Sequence, residues 1–478
     1  MTIRSAIVVT VTFAVAAGCA PKRDYAPPVA QVTLTYKELE NWKPAQPRDT
    51  EVRGAWWDLF GDPVLASLES RIDISNQTLK VAEAQFAQAR AAVRGARANR
   101  YPQVIAAPGI TVTNPSANRA TSTFHDTFSD FVLPLEASYE ADLWGRLRGL
   151  VETSRTAAQA TAADLETARL SLHAELAIDY FALRGLDREQ QILTSAVEAF
   201  TQALDLTQNR FRGGLSSGAD VAQAETQLET TRVQVVDIGV ERAALEHAIA
   251  LLVGEPAGAF QLPPSPLAAP PPDVPVGVPS ELLERRSDIA AAERRVASAF
   301  SQVGVTQSAY YPVLTLSGAI GFEASSFGSW LTTASSFWSA GPAALVNVLD
   351  FGRRRAANEQ ARAGFDVASA AYRETVLTAF REVEDQLAAL RVLEQEATIQ
   401  ERALAAAQRS LTLATNRYRG GVASYLEVIT AQSFALGNER AAVNLQTRRM
   451  TTSVLLLKAL GGDWRAAALP TLTSPNQQ

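Results

Sequence analysis

Two seven-residue segments decide how this chain folds. Asn-Arg-Phe-Arg-Gly-Gly-Leu occupies residues 209–215, and Asn-Arg-Tyr-Arg-Gly-Gly-Val occupies residues 416–422, which is 207 positions later (416 − 209). Upstream, Trp-Gly-Arg at 144–146 returns as Phe-Gly-Arg at 351–353 with the same offset of 207. A repeat that keeps its register over such a distance indicates that the chain contains two copies of one large unit.

Further matches bound the size of this unit. Gly254 returns as Gly461 at the offset of 207, whereas Tyr101-Pro102 returns as Tyr311-Pro312 at an offset of 210. Small length changes therefore separate the two offsets. Helical solenoid repeats are about 20–50 residues long, so a unit of about 200 residues is a duplicated domain-sized element rather than a solenoid repeat.

Each copy predicts a long antiparallel helical hairpin. From Arg146 to Asn209 the apolar period is helical for about 95 Å, at roughly 1.5 Å per residue. Gly-Gly then predicts a left-handed cap, and a new helix starts at once. Ser424 and Glu427 are spaced as a capping box, and Ser217 and Asp220 form a looser version. In the second copy the predicted packing stripe is Phe365, Ala368, Tyr372, Val376, Phe380, Val383, Leu387, Leu390, Leu393 and Ala397.

Before each hairpin the pattern alternates, as in strands that bury one face. The strand pairs are expected over residues 103–143 and 312–349, each strand being about ten residues long, the length of a tilted bilayer-spanning strand. Helical patterns precede them over 65–100 and 280–308. The alternating apolar positions are Phe131, Leu133, Leu135, Ala137, Tyr139 and Leu143 in one strand, Leu314, Leu316, Ile320 and Phe322 in the next, and Trp338, Ala340, Ala344, Val346 and Val348 in the last.

The N-terminus predicts export and lipidation. A basic residue, an apolar stretch and Ala16-Ala17-Gly18 precede Cys19, the only cysteine of the chain. This resembles a bacterial lipoprotein signal, in which the mature protein begins at an acylated cysteine. Ala20 in place of aspartate favours the outer membrane in the lipoproteins that it resembles.

The sequence divides into six segments. They are a signal peptide at 1–18, a lipidated tether and equatorial segment at 19–63, the first repeat at 64–254 with its hairpin at 146–254, a proline-rich linker at 255–279, the second repeat at 280–461 with its hairpin at 353–461, and a tail at 462–478.

Composition argues against an enzyme and against a nucleic-acid-binding protein. The 478 residues carry 44 basic and 50 acidic side chains, so no basic footprint exists for nucleic acid. The three histidines, His125, His173 and His247, show no metal-ligand spacing, and no nucleophile-elbow, phosphate-loop or dinucleotide motif is present. We expect no cofactor other than a covalent lipid on Cys19.

Four amphipathic strands cannot close a membrane barrel, because the smallest common barrels have about eight. An open edge in lipid would leave backbone groups unpaired at several kcal/mol each. The chain must therefore oligomerise if these strands lie in lipid: two copies give eight strands and three give twelve.

The chain resembles the TolC/OprM family of outer-membrane factors of tripartite efflux pumps, in particular the NodT-type outer-membrane lipoproteins. The segments that carry the resemblance are Ala55–Leu65 (AWWDLFGDPVL), the two Tyr-Pro pairs, Leu282–Ile289 (LLERRSDI, with Ser287 where proline is usual), Leu349–Arg353 (LDFGR), Asn416–Gly421, and Leu460–Trp464 (LGGDW, with Asp463 replacing a glycine). They are spread along nearly the whole mature chain.

The resemblance implies a mainly α-helical fold with a membrane β-barrel. A homotrimer would form one twelve-stranded barrel and an α-helical periplasmic tunnel of coiled-coil hairpins. It implies a lipid-anchored protein of the cell outer membrane, with its helical part in the periplasm. It also implies passive conduction of drugs or other small molecules from a periplasmic membrane-fusion adaptor and an inner-membrane pump to the exterior.

Three sets of residues are candidate functional sites. The strand positions opposite the apolar face would line the pore: Glu136, Ser138, Glu140, Thr315, Ser317, Ser339 and Asn347. On the resemblance, the hairpin tips would dock an adaptor: Arg212, Gly213, Gly214, Leu215, Arg419, Gly420, Gly421 and Val422. A periplasmic gate would lie just after the second tip: Tyr425, Leu426, Glu427 and Thr430, the last where the family usually has aspartate.

Each set has a simpler alternative. The polar strand face could be solvated without selectivity, and the tip glycines could serve only the turn. Two other functions also stay open: an outer-membrane conduit for type I protein secretion, and a periplasmic adaptor or coiled-coil scaffold lipoprotein. The scaffold should lack two bilayer-length amphipathic strand pairs.

Overall fold

The structure is a computed structural model that describes residues 25–29, 35–38, 55–116, 118, 126–267, 270–272, 274 and 285–462. The predicted signal peptide, Cys19, most of the tether, the start of the second repeat at 280–284 and residues 463–478 lie outside the described residues.

The described elements follow one order in both halves of the chain. A 3-10 turn at Trp56–Phe60 leads into the first half, which contains α1 (Pro63–Ser75), α2 (Gln77–Ala98), β1 (Gln103–Ala106), β2 (Gly109–Thr113), β3 (Phe128–Ala141), α3 (Arg146–Arg212) and α4 (Gly218–Leu252). The second half contains α5 (Ser287–Ser308), β4 (Val313–Ala324), β5 (Ser336–Leu345), α6 (Arg353–Arg419) and α7 (Tyr425–Ala459).

The hairpin helices have equal lengths in the two copies, which confirms the predicted duplication. α3 and α6 each contain 67 residues, and α4 and α7 each contain 35. A 67-residue helix is about 100 Å long at roughly 1.5 Å per residue. The predicted stripe on α6 packs inward: Tyr372, Val376, Val383, Leu387, Leu390 and Leu393 are buried, with Phe365, Ala368 and Phe380 packed beside them.

The predicted helix over 65–100 was wrong in one respect, since it breaks between α1 and α2. Asn76 adopts an extended backbone, caps α2 through Leu79 N–H, and donates its side-chain amide to Leu252 O at 2.8 Å. Arg286 stands 210 positions later, before α5, and donates to Ala459 O at 3.0 Å. The end of each return helix is thus anchored by the bend before the strand-leading helix of its own half.

Glycine is required where each return helix ends. Gly254 and Gly461 both have positive φ, 74° and 91°. A methyl group on Gly254 would lie 2.5 Å from Ser75 O, and one on Gly461 would lie 2.2 Å from Arg285 O. The duplicated glycines therefore mark a close backbone approach as well as a left-handed conformation.

The described part of the proline-rich linker is packed along the hairpin. Its apolar side chains Phe260, Leu262, Leu267 and Val274 are buried in the main core. Buried Asp187 accepts from Arg184 and Arg242, and it also accepts the Ser265 backbone N–H at 2.8 Å. This charge cluster fixes the linker against α3 and α4.

The strands form one antiparallel sheet in the order β1 and β2, then β3, β4 and β5. β1 and β2 follow one register on β3, because Ala106 lies opposite Leu135 and Gly109 lies opposite Val132. They act as one strand interrupted at Ala107-Pro108, where Pro108 lacks a backbone N–H. The first predicted strand is therefore correct in position and broken in the middle.

Candidate functional site

Polar side chains from three strands lie in rows on one face of the sheet. Residues directly opposite each other in an antiparallel pair share a face. The rows across β3, β4 and β5 are Glu136–Ala319–Ser339, Ser138–Ser317–Gly341 and Glu140–Thr315–Ala343. The register thus brings together six of the seven predicted pore-lining residues, and their role in a pore stays a prediction.

Asn347 is not placed on this face by a strand. β5 ends at Leu345, so Asn347, Val346 and Val348 lie in the non-strand segment that leads to α6. The prediction of a strand through Val348 was wrong because alternation continued past the last sheet pair. The positive φ of Phe351, 50°, shows that the chain already turns here.

Two further carboxylates on the polar face were missed by the sequence reasoning. Asp130 lies opposite Thr111, and Glu323 lies opposite Val132. Neither residue is among the predicted pore-lining positions, although each has the parity of the polar positions in its own strand. Extending the alternation by one pair at the outer end would have found them.

The two predicted pore glutamates differ in their surroundings. Glu140 accepts two hydrogen bonds from Arg146, at 2.8 and 2.5 Å. The hydrogen bond to Glu140 is the main cause that raises the pKa of the Arg146 guanidinium. Glu136 is exposed, and the structure gives it no ion pair among the described residues.

The opposite face of the sheet is apolar. It carries Leu133, Leu135, Tyr139, Leu316, Ile320, Phe322, Trp338 and Pro342. At its outer end Phe131 packs against Phe327 and Trp330 of the β4–β5 loop, with ring centroids 6.1 and 5.8 Å apart. At its other end Trp144 stacks on Tyr311 at 4.8 Å. Aromatic residues at both ends of an apolar band are typical of a sheet that faces lipid.

The two hairpin tips share one turn geometry. The second glycine of each pair is left-handed, with φ of 72° at Gly214 and 77° at Gly421. Leu215 N–H donates to Arg210 O at 2.8 Å, and Val422 N–H donates to Arg417 O at 3.0 Å. These bonds are those of a Schellman cap. All eight predicted docking residues are exposed, and docking itself stays a prediction.

The tips differ in how the return helix begins. The complete capping box lies at the first tip, whereas the sequence predicted it at the second tip. Ser217 and Asp220 form a complete capping box, and the backbone hydrogen bond at Ser217 is the main cause that lowers the pKa of the Asp220 carboxyl. Ser424 makes no side-chain cap bond. Glu427 faces Arg417 instead, at 3.6 Å.

Tyr425 does not have the position expected of a gate residue. It is 2 % exposed and packs on Tyr418, with ring centroids 5.3 Å apart. Burial, and then the proximity of Tyr418, raise the pKa of the Tyr425 phenol to about 12. Its ring therefore fills the core between the two hairpins, which corrects the expectation that it closes a lumen.

The other three predicted gate residues remain on the surface. Leu426 is 57 % exposed, and Glu427 and Thr430 are also exposed. The Thr430 hydroxyl donates to Leu426 O at 2.8 Å, so it is used within the helix. Nearby, the Arg210 guanidinium lies 4.6 Å from the Tyr418 ring and donates to Tyr418 O at 3.0 Å, which ties the first tip to the second.

The family model described as "Outer membrane efflux protein" matches residues 69–255 and 278–462. Each matched stretch contains one helix–strand–hairpin unit. The chain belongs to the outer membrane efflux protein family. It is a protein of the outer membrane, and its role is efflux. Membership in this efflux family argues against the alternative of a periplasmic adaptor or coiled-coil scaffold lipoprotein.

Relatives of this outer membrane efflux protein agree along most of their length. The pyoverdine export outer membrane protein OpmQ of Pseudomonas aeruginosa is 31 % identical over 418 residues, covering 86 % of this chain and 88 % of OpmQ. The probable efflux pump outer membrane protein TtgC of Pseudomonas putida is 28 % identical over 468 residues, covering 96 % of both chains.

Solved structures agree as well. The outer-membrane channel OprN superposes with a TM-score of 0.87 at 29 % identity, covering 93 % of this chain and all of that one. The Campylobacter jejuni CmeC outer membrane channel gives 0.88 at 23 % identity and supports the fold. None of the helices in the described part of this family member combines the length and the apolar character of a membrane-spanning helix.

Proposed function

We propose that three copies of this chain assemble into a channel that conducts small molecules passively out of the cell. Three four-stranded sheets would close one twelve-stranded barrel, and three pairs of hairpins would form a tunnel of about 100 Å in the periplasm. The chain carries out no chemical reaction in this proposal, and the energy for transport comes from an inner-membrane pump.

The observation that carries the proposal is the pair of open sheet edges. β5 has no strand partner on its outer side among the described residues, and neither have β1 and β2. The two edges run antiparallel, because each neighbouring pair in between is antiparallel. A second copy can therefore continue the up-and-down order, which removes the unpaired backbone groups that lipid would not tolerate.

Small molecules are the favoured cargo. The names of relatives mention pyoverdine export, and antibiotic, toluene and solvent efflux. Type I protein secretion is the second candidate for cargo, and a transport assay distinguishes the two.

The tips and the residues after the second tip complete the proposal. Arg212–Leu215 and Arg419–Val422 project from the hairpins and would contact a periplasmic adaptor. Leu426, exposed at 57 %, and Glu427 would narrow the opening where three second tips converge. Lipid on Cys19, outside the described residues, would add an anchor beside the barrel.

Electrophoresis without heating and membrane fractionation test the assembly. The full chain should fractionate with the outer membrane and migrate as a trimer that heating converts to a monomer. Expression in a host that lacks its own outer-membrane efflux component, together with the cognate adaptor and pump genes, should restore dye extrusion. A monomer in the soluble periplasmic fraction would contradict the channel, and export of a polypeptide without dye extrusion would favour protein secretion.

A further inference from the structure

The internal duplication predicts how neighbouring copies meet. In the β1–β3 and β2–β3 pairs, the sequence numbers of two residues that lie opposite each other always add to 241, as for Gln103 and Ser138. Adding the repeat offset of 210 to the residue numbers of β1 and β2, and the offset of 207 to those of β3, predicts a sum of 658 for the equivalent strands of the second repeat. The observed β4–β5 pairs, such as Val313 and Leu345, add to 658 throughout. The two offsets therefore predict the strand register of the second repeat correctly from that of the first repeat.

The same transfer can be applied to the contact between the halves. β3 pairs with β4 so that the numbers add to 455, as for Glu136 and Ala319. β3 corresponds to β5, and β4 corresponds to β1 and β2. Replacing β3 by β5 adds 207 to the sum of residue numbers, and replacing β4 by β1 and β2 subtracts 210. The expected sum for a β5 pair with β1 and β2 is therefore 452.

We propose that β5 of one copy pairs with β1 and β2 of the neighbouring copy in the register whose residue numbers add to 452, and that Phe351 then stacks on Tyr101 of that copy. This rests on the proposed assembly and specifies its interface. The pairs include Ser339 with Thr113, Gly341 with Thr111 and Ala343 with Gly109.

The faces of the sheet agree with this register. Ser339 and Thr113 both lie on the polar face, and Ala340 and Val112, the next pair, both lie on the apolar face. A shift of one residue would place polar side chains among apolar ones. The polar face thus stays continuous between neighbouring molecules only if the residue numbers of each pair add to an even value. Among these even sums, the duplication selects 452.

The aromatic residues at the sheet base supply a second observation. Trp144 stacks on Tyr311 between the halves, with an interplanar angle of 18°. Their equivalents are Phe351 and Tyr101, whose numbers add to 452. Both are unusually open for large side chains, at 92 % and 72 % exposure. A neighbouring copy would cover both, as the second half of the chain covers Trp144.

A helix contact agrees independently. A methyl group on Gly149 of α3 would lie 2.8 Å from the Val305 side chain of α5, so these helices approach closely. The equivalents are Ala356 on α6 and Gly95 on α2. A methyl group on Gly95 would meet nothing within 4 Å. Two small residues therefore stand where α6 would approach α2 of the neighbouring copy, and the open surface at Gly95 leaves room for it.

Engineered cysteines test the register directly. Thr113→Cys with Ser339→Cys should form disulfides between copies on oxidation, giving a covalent trimer in boiled, non-reduced samples. Gly109→Cys with Ser339→Cys is the matched control, because it lies on the same face but is displaced by four residues, about 13 Å along a strand. This control and each single substitution should give no covalent trimer.

The possible results separate the register from the assembly. An unheated trimer that cross-links through the displaced pair, or through neither pair, would overturn the register and leave the assembly standing. The absence of any unheated oligomer would overturn the proposed assembly.

As a second measurement, Tyr101→Ala and Phe351→Ala should each lower the temperature at which the trimer dissociates, and the double variant should lower it no further than one of them. Additive effects would contradict the stacking of these rings on each other.

Discussion

At the scale of single residues, the least expected feature is a buried acid–base pair in the helical part. Glu69 of α1 and His173 of α3 are 0 % and 3 % exposed. Glu69 Oε2 and His173 Nδ1 are 2.7 Å apart, and Trp57 stacks on the imidazole at 4.5 Å. Asp73 lies 3.7 Å from His173 Nε2 and also binds Arg169. This cluster joins the equatorial segment to the long helix.

Burial raises the pKa of the Glu69 carboxyl to about 7, against the opposing effect of its hydrogen bond with His173. The folded state therefore holds this proton more tightly than the unfolded state does. The resulting stabilisation is complete below the unfolded pKa of about 4.5 and is lost as the pH rises through about 7. We expect the thermal midpoint to fall over this range, with a loss of up to about 3 kcal/mol at roughly 1.4 kcal/mol per pKa unit.

Glu69→Gln isolates this contribution because it keeps the shape and removes the titration. The variant should show a flatter dependence of the thermal midpoint on pH, measured by circular dichroism of the purified protein. Glu225→Gln, at an exposed position of α4, is the control and should follow the unmodified protein. An unchanged pH profile in Glu69→Gln would exclude this carboxyl as the source.

Residue-level prediction from sequence depended on whether neighbours in space were also neighbours in the pattern. Parity alone placed Glu136 and Ser317 on one face, because strand geometry fixes side-chain direction. Nothing near Tyr425 in sequence shows that Tyr418 and the first hairpin cover it. The Glu69–His173 pair joins positions 104 residues apart, so no local pattern could reveal it.

At the scale of helices and turns, the duplicated glycines allow a stability prediction. Gly461→Ala should destabilise the fold by more than about 2 kcal/mol, since a left-handed alanine costs about 1–2 kcal/mol and its methyl group would clash with Arg285 O. Gly254→Ala should behave alike. Urea unfolding of each variant measures the change.

Gly239→Ala is the matched control for these substitutions. Gly239 lies within α4, where an added methyl group meets nothing within 4 Å, and alanine is the better helix former by about 1 kcal/mol. This variant should be as stable as the unmodified protein or more so. Equal destabilisation by all three substitutions would show that the close approaches at Gly254 and Gly461 are unimportant.

The unequal helix starts at the two tips give a second prediction at this scale. Ser217→Ala should remove about 1 kcal/mol of local stability, because the Ser217 hydroxyl accepts the Asp220 N–H. Amide exchange at the start of α4 should accelerate. Ser424→Ala, 207 positions later, should leave the start of α7 unchanged, since Ser424 makes no cap bond. Similar acceleration at both tips would contradict the structural difference.

The sequence predicted these elements better than their ends. Helix lengths followed from a long apolar period and from glycines that terminate it, both local signals. The end of β5 did not, because alternation alone cannot show where a partner strand stops. The capping boxes were assigned the wrong way round, since Glu427 has a competing partner in Arg417 that spacing does not reveal.

At the scale of the whole molecule, the polar sheet face should make the assembled channel prefer cations. Asp130, Glu136, Glu140 and Glu323 lie on this face of each copy, and three copies would repeat them around one lumen. Carboxylates along a confined path raise the local cation concentration. Arg146 neutralises Glu140 locally, so the exposed Glu136 should contribute more to selectivity.

Glu136→Gln should therefore lower the cation-to-anion permeability ratio, measured from the reversal potential of single channels under a potassium chloride gradient. Glu140→Gln combined with Arg146→Gln removes one charge of each sign and should leave that ratio nearly unchanged. Because the ratio depends on fixed charge in the lumen, the effect of Glu136→Gln should weaken as salt shortens the screening length from about 10 Å at 0.1 M to about 3 Å at 1 M. An unaltered reversal potential at low salt would mean that Glu136 does not face the conducting path, and a polar face turned away from the lumen would then contradict the proposed barrel.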